Sequence, residues 1–456
     1  MNESKLTDPD GVDVQDLSDL KVDKSEVAHG NEYFQKIGEL LEPKLLALRD
    51  SVHKFKVLTT CAGGGAGIAE LLSHIPGSTQ YFLRGDFPND PGARHQFARG
   101  RTLIDGVTER NAIILAAQSY LNAQGIIWRG GNGRVEENPY VLGVGATADI
   151  ATLDELQPEK HQIWGAVRTL EGVSTYHVEF LKGQGPQDRA WQNNMCNLLI
   201  ANSVLAAAGH PQVPIECDRL QSNNLVPDPN GSDGLVLQLK PIIFDSSKIE
   251  SELNKNNGVL LVHPDGTFGS TDEIKKLKSE PFSMAPGSYN PIHVGHETVG
   301  HAAWMHNQEH GVYLEISMAH CHKEPITAND IAARLSHNIG LFPFIITRDA
   351  ALYTEKIEEF PAVKHLVVGY DNAEWMVNEA NFNGDISKRD TELSWFVDRG
   401  VTFLVLGRDG KTVTKDLNCP AKFKDLFVDL LAEKVEISST ALRNLREHHH
   451  QLDKTT

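Results

Sequence analysis

Apolar residues recur at helical spacing from residue 32 onward: Tyr33, Ile37, Leu40, Leu41, Leu45 and Leu48 fall on one face and predict a helix over 32–52. Lys56 to Thr60 reads as a strand. A glycine cluster, Gly63-Gly64-Gly65-Ala66-Gly67, and a helix through Leu72 follow it. An alanine-rich helical pattern covers 111–124. Val141 to Val144, Ile163 to Leu170 and Ser174 to Leu181 read as strands, and Asp188 to Ala208 as a long helix. This alternation favours an α/β domain.

The pattern breaks over 210–240, where prolines, Asn223-Asn224 and Asn230-Gly231 mark a connection between domains. Residues 241–275 look like a small strand-rich insert with a turn at Pro264-Asp265-Gly266. From about 281, strands (Phe282 to Ala285, Val312 to Ser317, Phe344 to Thr347, His365 to Val368, Val401 to Leu406) alternate with helices. The helices start near His296, Ala328, Tyr353, Ala373, Glu392 and Thr440. A parallel sheet wrapped by helices follows, with ligands expected beyond the carboxyl ends of its strands. The expected organisation is a tail over 1–30, a first α/β domain over 31–212, a connection and insert over 213–280, and a second α/β domain over 281–456.

Composition narrows the class. A chain of 456 residues is long enough for two domains. The formal net charge of -18 argues against broad nucleic-acid binding, which needs a basic face. Five scattered cysteines without a CxxC pair fit a reducing compartment, and a cytoplasmic location is the expectation. The first thirty residues are polar and acidic and read as a disordered tail. No apolar run approaches the roughly 20 residues of a membrane span, so no membrane association is expected. His448-His449-His450 reads as a solvated helix end.

The stretch Gly287-Ser288-Tyr289-Asn290-Pro291-Ile292-His293-Val294-Gly295-His296 carries the most chemistry. It reads as a strand end, a tight turn and a helix start, where free amides and the helix dipole attract anions. Two histidines three apart add imidazoles to that site. Ile437-Ser438-Ser439-Thr440-Ala441-Leu442-Arg443 offers hydroxyls and a guanidinium to the same kind of ligand, a polyphosphate. A metal site competes, because His293, His296, His301, His306, His310, His320, Cys321 and His322 are close in sequence. The stretch from His296 to His301 has one residue too many for a zincin, which turns the second imidazole about 140° from the first. No metal ligand is therefore assigned.

Together with Gly369-Tyr370-Asp371, these segments resemble the HxGH nucleotidylyltransferases, over about residues 281–447. That family includes nicotinamide and nicotinate mononucleotide adenylyltransferases, pantetheine-phosphate adenylyltransferase and cytidylyltransferases. The resemblance implies a Rossmann-like fold with a parallel sheet. It implies that His293, His296 and Arg443 act on the triphosphate, and that Gly287, Ser288, Tyr289, Ile437, Ser438, Ser439 and Thr440 bind it. Gly369 and Asp371 would face the ribose and base. Lys323, Thr347 and Lys356 lie where relatives keep substrate-binding residues, although His320-Cys321-His322-Lys323 stands in place of the family's asparagine-x-aspartate-lysine-proline pattern.

Val57-Leu58-Thr59-Thr60-Cys61-Ala62-Gly63-Gly64-Gly65, with Ile75-Pro76-Gly77-Ser78 and Phe82, resembles the CinA C-terminal domain, which includes nicotinamide-mononucleotide amidases. Relatives carry a serine nucleophile in E-S-C-T-G-G, then a tyrosine and a lysine. Here Thr60 or Ala62 takes the serine's place, depending on the alignment, and Arg94 is the nearest stand-in for the lysine. Arginine is no base at neutral pH, and a nucleophile without its base is weak. Gly143-Val144-Gly145-Ala146-Thr147-Ala148-Asp149 stands where relatives have a glycine-proline-rich loop. The expectation is a domain without amidase activity that serves folding, homo-oligomerisation or ligand sensing. A chain shortened to begin near residue 240 would then keep the second activity.

The resemblances together imply an enzyme that transfers an adenylyl group, ahead of a cytidylyl group, from ATP or CTP with Mg2+. The acceptor would be a small phosphorylated molecule such as nicotinamide or nicotinate mononucleotide. Two alternatives stay open: a non-catalytic nucleotide-binding or scaffold protein, and a bifunctional enzyme with residual amidase activity.

Overall fold

In a computed structural model of the chain, the described residues are 24–99, 101, 103–129, 139–151, 160–181, 188–215, 219–308, 310–319, 324–407, 410–430 and 439–453. The expected tail falls mostly outside them, as do Lys323, Ile437 and Ser438. No described helix is long and apolar enough to cross a membrane.

The apolar stripe of the first helix, α1 (Lys24–Arg49), is buried through Ile37, Leu41, Leu45 and Leu48. The chain continues through β1 (Phe55–Ala62), α2 (Ile68–Ser73), β2 (Phe82–Asp86) and α3 (Pro91–Ala98). Asp90 caps α3 by accepting from the Ala93 amide, and Pro91 opens the helix with its φ already set. Then come α4 (Glu109–Arg129), β3 (Tyr140–Asp149), β4 (His161–Arg168), β5 (Val173–Phe180) and α5 (Asp188–Ala207). The sheet runs β2-β1-β3-β4-β5, with β1 parallel to both its neighbours and β3, β4 and β5 antiparallel.

Gly143 to Asp149, expected to replace a loop, is the main part of β3. The reason is close packing. A Cβ at Gly143 or Gly145 would stand 2.2 Å from a backbone nitrogen of α4, so only glycine lets that helix lie on the strand.

The connection is also more structured than its turn residues imply. β6 (Leu220–Gln221) pairs with β5, β7 (Leu225–Pro227) pairs with β8 (Leu235–Leu237), and β9 (Lys240–Pro241) returns to β5. After it come α6 (Ser246–Lys255), β10 (Val259–Val262) and α7 (Thr271–Leu277). Residues 241–275 are therefore a helix–strand–helix run rather than a strand-rich insert.

The second domain contains β11 (Phe282–Pro286), α8 (Val294–His306), β12 (Gly311–Ser317), α9 (Ala328–Asn338), β13 (Phe344–Thr347), α10 (Tyr353–Glu359) and β14 (Val363–Gly369). It ends with α11 (Tyr370–Val377), α12 (Ile386–Asp398), β15 (Thr402–Leu406), α13 (Val413–Asp416), β16 (Phe427–Leu430) and α14 (Ser439–Asp453). Its strand order is β10-β13-β12-β11-β14-β15-β16. All the pairs are parallel except β10 with β13, so the sheet takes its edge strand from the region expected as an insert. The described residues are thus α/β, with parallel strands in both seven-stranded sheets.

The two domains share a core. Ala117, Tyr120 and Leu121 of α4 pack in one cluster with Ile292, Val294, Leu335 and Phe342 of the second domain. Ile113 and Ala116 meet Ile339 in another. Polar contacts cross the same seam: Arg168 donates to the Ile339 carbonyl at 2.9 Å, and Arg446 to the Leu170 carbonyl at 2.8 Å. His449 is buried and stacks on Tyr140 at 3.5 Å, which corrects the expected solvated helix end. A chain shortened to begin near residue 240 would bare the apolar face that α4 covers, so the expectation of an independent second domain is not supported.

Glu297 on α8 is the charged centre of the seam. It is 1% exposed and pairs with Arg101 at 3.3 Å and Arg99 at 3.2 Å, both from the first domain. Burial lowers the Arg101 pKa to about 10, so its guanidinium stays charged at neutral pH. Glu297→Ala strands that charge in the core and should destabilise the chain by about 3–5 kcal/mol, the cost of removing one partner of a buried pair. Urea unfolding reads this directly, and a loss below about 1 kcal/mol, the level of an exposed pair, would show that the seam opens to water.

Candidate active site

In the second sheet β12 lies on one side of β11 and β14 on the other. The carboxyl ends of β11 and β14 therefore flank a topological switch point, where α/β sheets bind ligands. Gly287 follows β11 and Gly369 ends β14, so two segments 82 residues apart leave the sheet side by side at the same edge.

The turn from β11 to α8 is held by side chains from other elements. Gly287 donates its amide to the Glu315 carbonyl at 2.9 Å, and a Cβ there would stand 2.8 Å from the Tyr289 ring. Tyr289 adopts a left-handed φ of 43°, a conformation that costs a non-glycine residue about 1–3 kcal/mol. It is fixed there by its hydroxyl, which donates to the Ala285 carbonyl at 2.6 Å, and by its ring against Phe344 and His296. Asn338, fully buried, accepts from the Ile292 amide at 3.0 Å and donates to the Tyr289 carbonyl at 2.5 Å. Ser439 donates to the Pro291 carbonyl at 2.8 Å.

Two guanidinium groups grip the same turn. Arg443 donates to the Asn290 carbonyl at 2.6 Å and to the Thr440 hydroxyl at 2.8 Å. Arg334 donates to the Ser288 carbonyl at 2.9 Å. Burial lowers the Arg334 pKa, Asp330 opposes that, and the charge on Arg443 lowers it further, so the two cations sense each other. Like charges brought together beside backbone carbonyls make an environment that an anion stabilises.

The imidazoles sit at the start of α8. His293 is the N-cap, and its Nδ1 accepts from the Gly295 amide at 3.1 Å; His296 Nδ1 accepts from the His293 amide at 3.2 Å. Both Nδ1 atoms are acceptors, so in the neutral rings Nε2 carries the proton. The ring centroids are 3.9 Å apart. Burial lowers the His293 pKa to about 4, and burial together with His293 holds His296 well below its ordinary value. At neutral pH the pair therefore presents two N–H donors and no charge, next to the amides of a thirteen-residue helix start.

The other expected site residues divide. Gly369 caps α11, and Asp371 lies exposed in that helix's first turn, across the switch point from the histidines. Ser288 and Thr440 are exposed, and Ser439 is half-buried. Thr347 and Lys356 are corrected as substrate ligands. Both are buried on Glu315, Thr347 donating at 2.6 Å and Lys356 at 2.9 Å. Burial raises the pKa of this internal carboxylate, which Lys356 and Thr347 oppose, and Lys356 also donates to the Ala350 carbonyl at 2.5 Å. Arg334, Asn338 and Gln124 escaped the sequence reading. Gln124 reaches from the first domain to accept from the Val294 amide at 3.2 Å, one residue past His293. Helical spacing marked the elements that carry them, but nothing local links them to the turn.

The expected nucleophile position of the first domain is closed. Thr60 is fully buried, and its hydroxyl bonds that of Ser119 at 2.7 Å. Ala62 is buried as well. The amides of Gly63 and Gly65 are taken by the side chains of Asn89 and Asn193, each at 3.0 Å, which leaves neither for a phosphate. Among the described residues no three histidine, cysteine, aspartate or glutamate side chains converge to hold a metal ion.

No protein-family model matches the chain, and no curated protein matches it. Solved structures of the CinA superfamily are similar to part of it. A competence-damaged protein (CinA) superfamily member from Escherichia coli is 12% identical, over 38% of this chain and 90% of that one, with a TM-score of 0.28. The competence/damage inducible protein CihA from Agrobacterium tumefaciens is 19% identical, over 40% and 95%, with a TM-score of 0.24. A superfamily member from Klebsiella pneumoniae is 11% identical, over 39% and 98%, with a TM-score of 0.23.

The depressed imidazole gives a pH test. The unfolded chain takes up a proton near 6.5 and folded His293 only near 4, so its stability contribution is complete above 6.5 and is lost as pH falls towards 4. One such group steepens the fall by at most about 1.4 kcal/mol per pH unit. In His293→Asn the urea midpoint should fall less steeply over this window, with a residual slope from His296, which burial also holds well below its ordinary value, and from His337 and His365, which burial lowers to about 4. Parallel curves for the variant and the parent would mean that His293 titrates normally.

Proposed function

We propose that the chain is a nucleotidyltransferase that moves an adenylyl group from ATP to a small phosphorylated acceptor and releases pyrophosphate. One observation carries the reading: two uncharged imidazoles with protonated Nε2 atoms sit at a helix start on the switch point, and Arg443 and Arg334 grip the turn that leads into that helix. Such a set suits a group that is already anionic and grows more charged during reaction. An acceptor phosphate oxygen bonds to the α-phosphorus, the bond from that phosphorus to the bridging oxygen breaks, and pyrophosphate leaves with the electron pair. Little proton transfer is needed. Positioning and charge stabilisation carry the rate.

In this reading His293 and His296 donate from Nε2 to the phosphates, and Arg443 and Arg334 balance the charge of the outer ones. Ser439 and Thr440 lie at the start of α14 within reach of the same turn. Magnesium would enter with the nucleotide and supply further charge neutralisation. Gly369 and Asp371 would face the ribose and base. The resemblance at 287–296 favours nicotinamide or nicotinate mononucleotide as acceptor and ATP over CTP. Residual amidase activity is disfavoured by the burial of Thr60, so the full-length chain should release no ammonia from nicotinamide mononucleotide.

Replacing His293 or His296 by alanine should lower pyrophosphate release by about 10²–10³-fold with the fold retained, the usual cost of one transition-state donor. Arg443→Lys should raise the KM for ATP and reduce turnover, because lysine has no planar fork to hold the Asn290 carbonyl and a phosphate together. Assays over a panel of mononucleotide acceptors would check both. Full activity in both histidine variants would remove the mechanism, and the absence of pyrophosphate release with every acceptor would favour a non-catalytic nucleotide binder.

A further inference from the structure

A cavity of about 510 Å³ lies between the domains, behind the turn that holds the two histidines. Its size falls within the roughly 300–1,000 Å³ of small-molecule sites, and domain seams are where such sites concentrate. Its walls come from α4, β3, the end of α5 and the inner face of α14. Aromatic rings dominate: Phe55, Tyr120, Trp128 and Tyr140, with three imidazoles among them. Tyr140 already stacks on His449, with their planes 11° apart. Among the described lining residues there is no lysine or arginine, and the only formal charge is Glu171, which pairs with Arg446 at 3.4 Å.

We propose that this cavity binds a small, uncharged, planar heteroaromatic molecule of nucleobase size, and that its occupancy is coupled to the anion site. The ring-lined walls accept a flat π-system by offset or edge-on packing, and the Gln124 amide supplies a polar edge. Phosphate is disfavoured, because among the described residues no cation lines the wall to replace its water. The ligand is therefore a free base rather than a nucleotide.

Two physical links lead from the cavity to the turn. Gln124 lines it and also accepts from the Val294 amide, beside His293. Leu442 and Leu445 on α14 line it as well, while the same helix holds the Asn290 and Pro291 carbonyls through Arg443 and Ser439. A ligand that shifts Gln124 or α14 changes the support of the turn from two sides. The coupling, unlike the binding, rests on the nucleotidyltransferase reading.

The test uses the full chain with adenine as probe. Adenine should quench tryptophan emission in the parent, the effect should vanish in Trp128→Phe, and adenosine monophosphate should not quench Trp128. Calorimetry should show adenine binding lost in Leu445→Trp and in Ala208→Phe, which fill the cavity from different walls, with circular dichroism confirming that each folds. Saturating adenine should change the dissociation constant for ATP about five-fold or more in the parent, the lower end of ordinary coupling, and not in the filled variants. Loss of adenine binding in both filled variants, in a chain that binds no ATP, would uphold the cavity and sink the nucleotidyltransferase reading. Adenine that binds the filled variants as well as the parent, or that binds neither at millimolar concentration, would overturn the proposal.

Discussion

The turn between β11 and α8 keeps its shape because other parts of the fold bond its backbone. A segment with little regular structure of its own must find partners for its amides and carbonyls. Asn338 takes two of them from α9, Arg334 and Arg443 take two carbonyls, Ser439 takes a third, and Gln124 takes an amide from across the domain seam. The strained Tyr289 backbone persists only inside this set. The same contacts that fix the loop also bring two guanidinium groups to the turn that ends at the imidazoles. In the proposed reading, structural support and anion binding are one arrangement.

The seam between domains explains how a domain with a closed nucleophile position can still matter. α4 completes the apolar core beneath α8 and α9, and Gln124 completes the cap of α8. Arg99 and Arg101 neutralise Glu297 one residue beyond His296. A burial of this kind is costly to open, because it would expose apolar surface and strand charge together. The first domain therefore acts on the second through packing, and the cavity along the same seam offers a place where that packing can be biased.

The charge logic of the site also follows from burial. An imidazole taken out of water is held neutral, and here the cap hydrogen bonds decide which nitrogen bears the proton. Glu315, Lys356 and Thr347 show the complementary case. Polar side chains of two neighbouring strands and of α10 turn inward to satisfy one another, because a buried carboxylate needs both a cation and a hydrogen-bond donor. A motif position alone does not distinguish a residue that faces a ligand from one that stabilises the sheet behind it.

The hydrophobic pattern of the sequence determined most elements of both domains, since a buried helix face and a buried strand each impose a fixed period on the chain. It also located the turn and the two histidines, because a glycine turn before a helix start is local chemistry that three or four neighbouring residues specify. It misread the segment 241–275. A four-residue edge strand such as β10 has too few positions to show a period. Only the tertiary structure decided that Asn338, Arg334 and Gln124 support the turn, and that Thr347 and Lys356 belong to Glu315. It alone buried Thr60 and joined the domains into one core. These are contacts between residues far apart in the chain, set by how sheets and helices pack rather than by any neighbour in sequence.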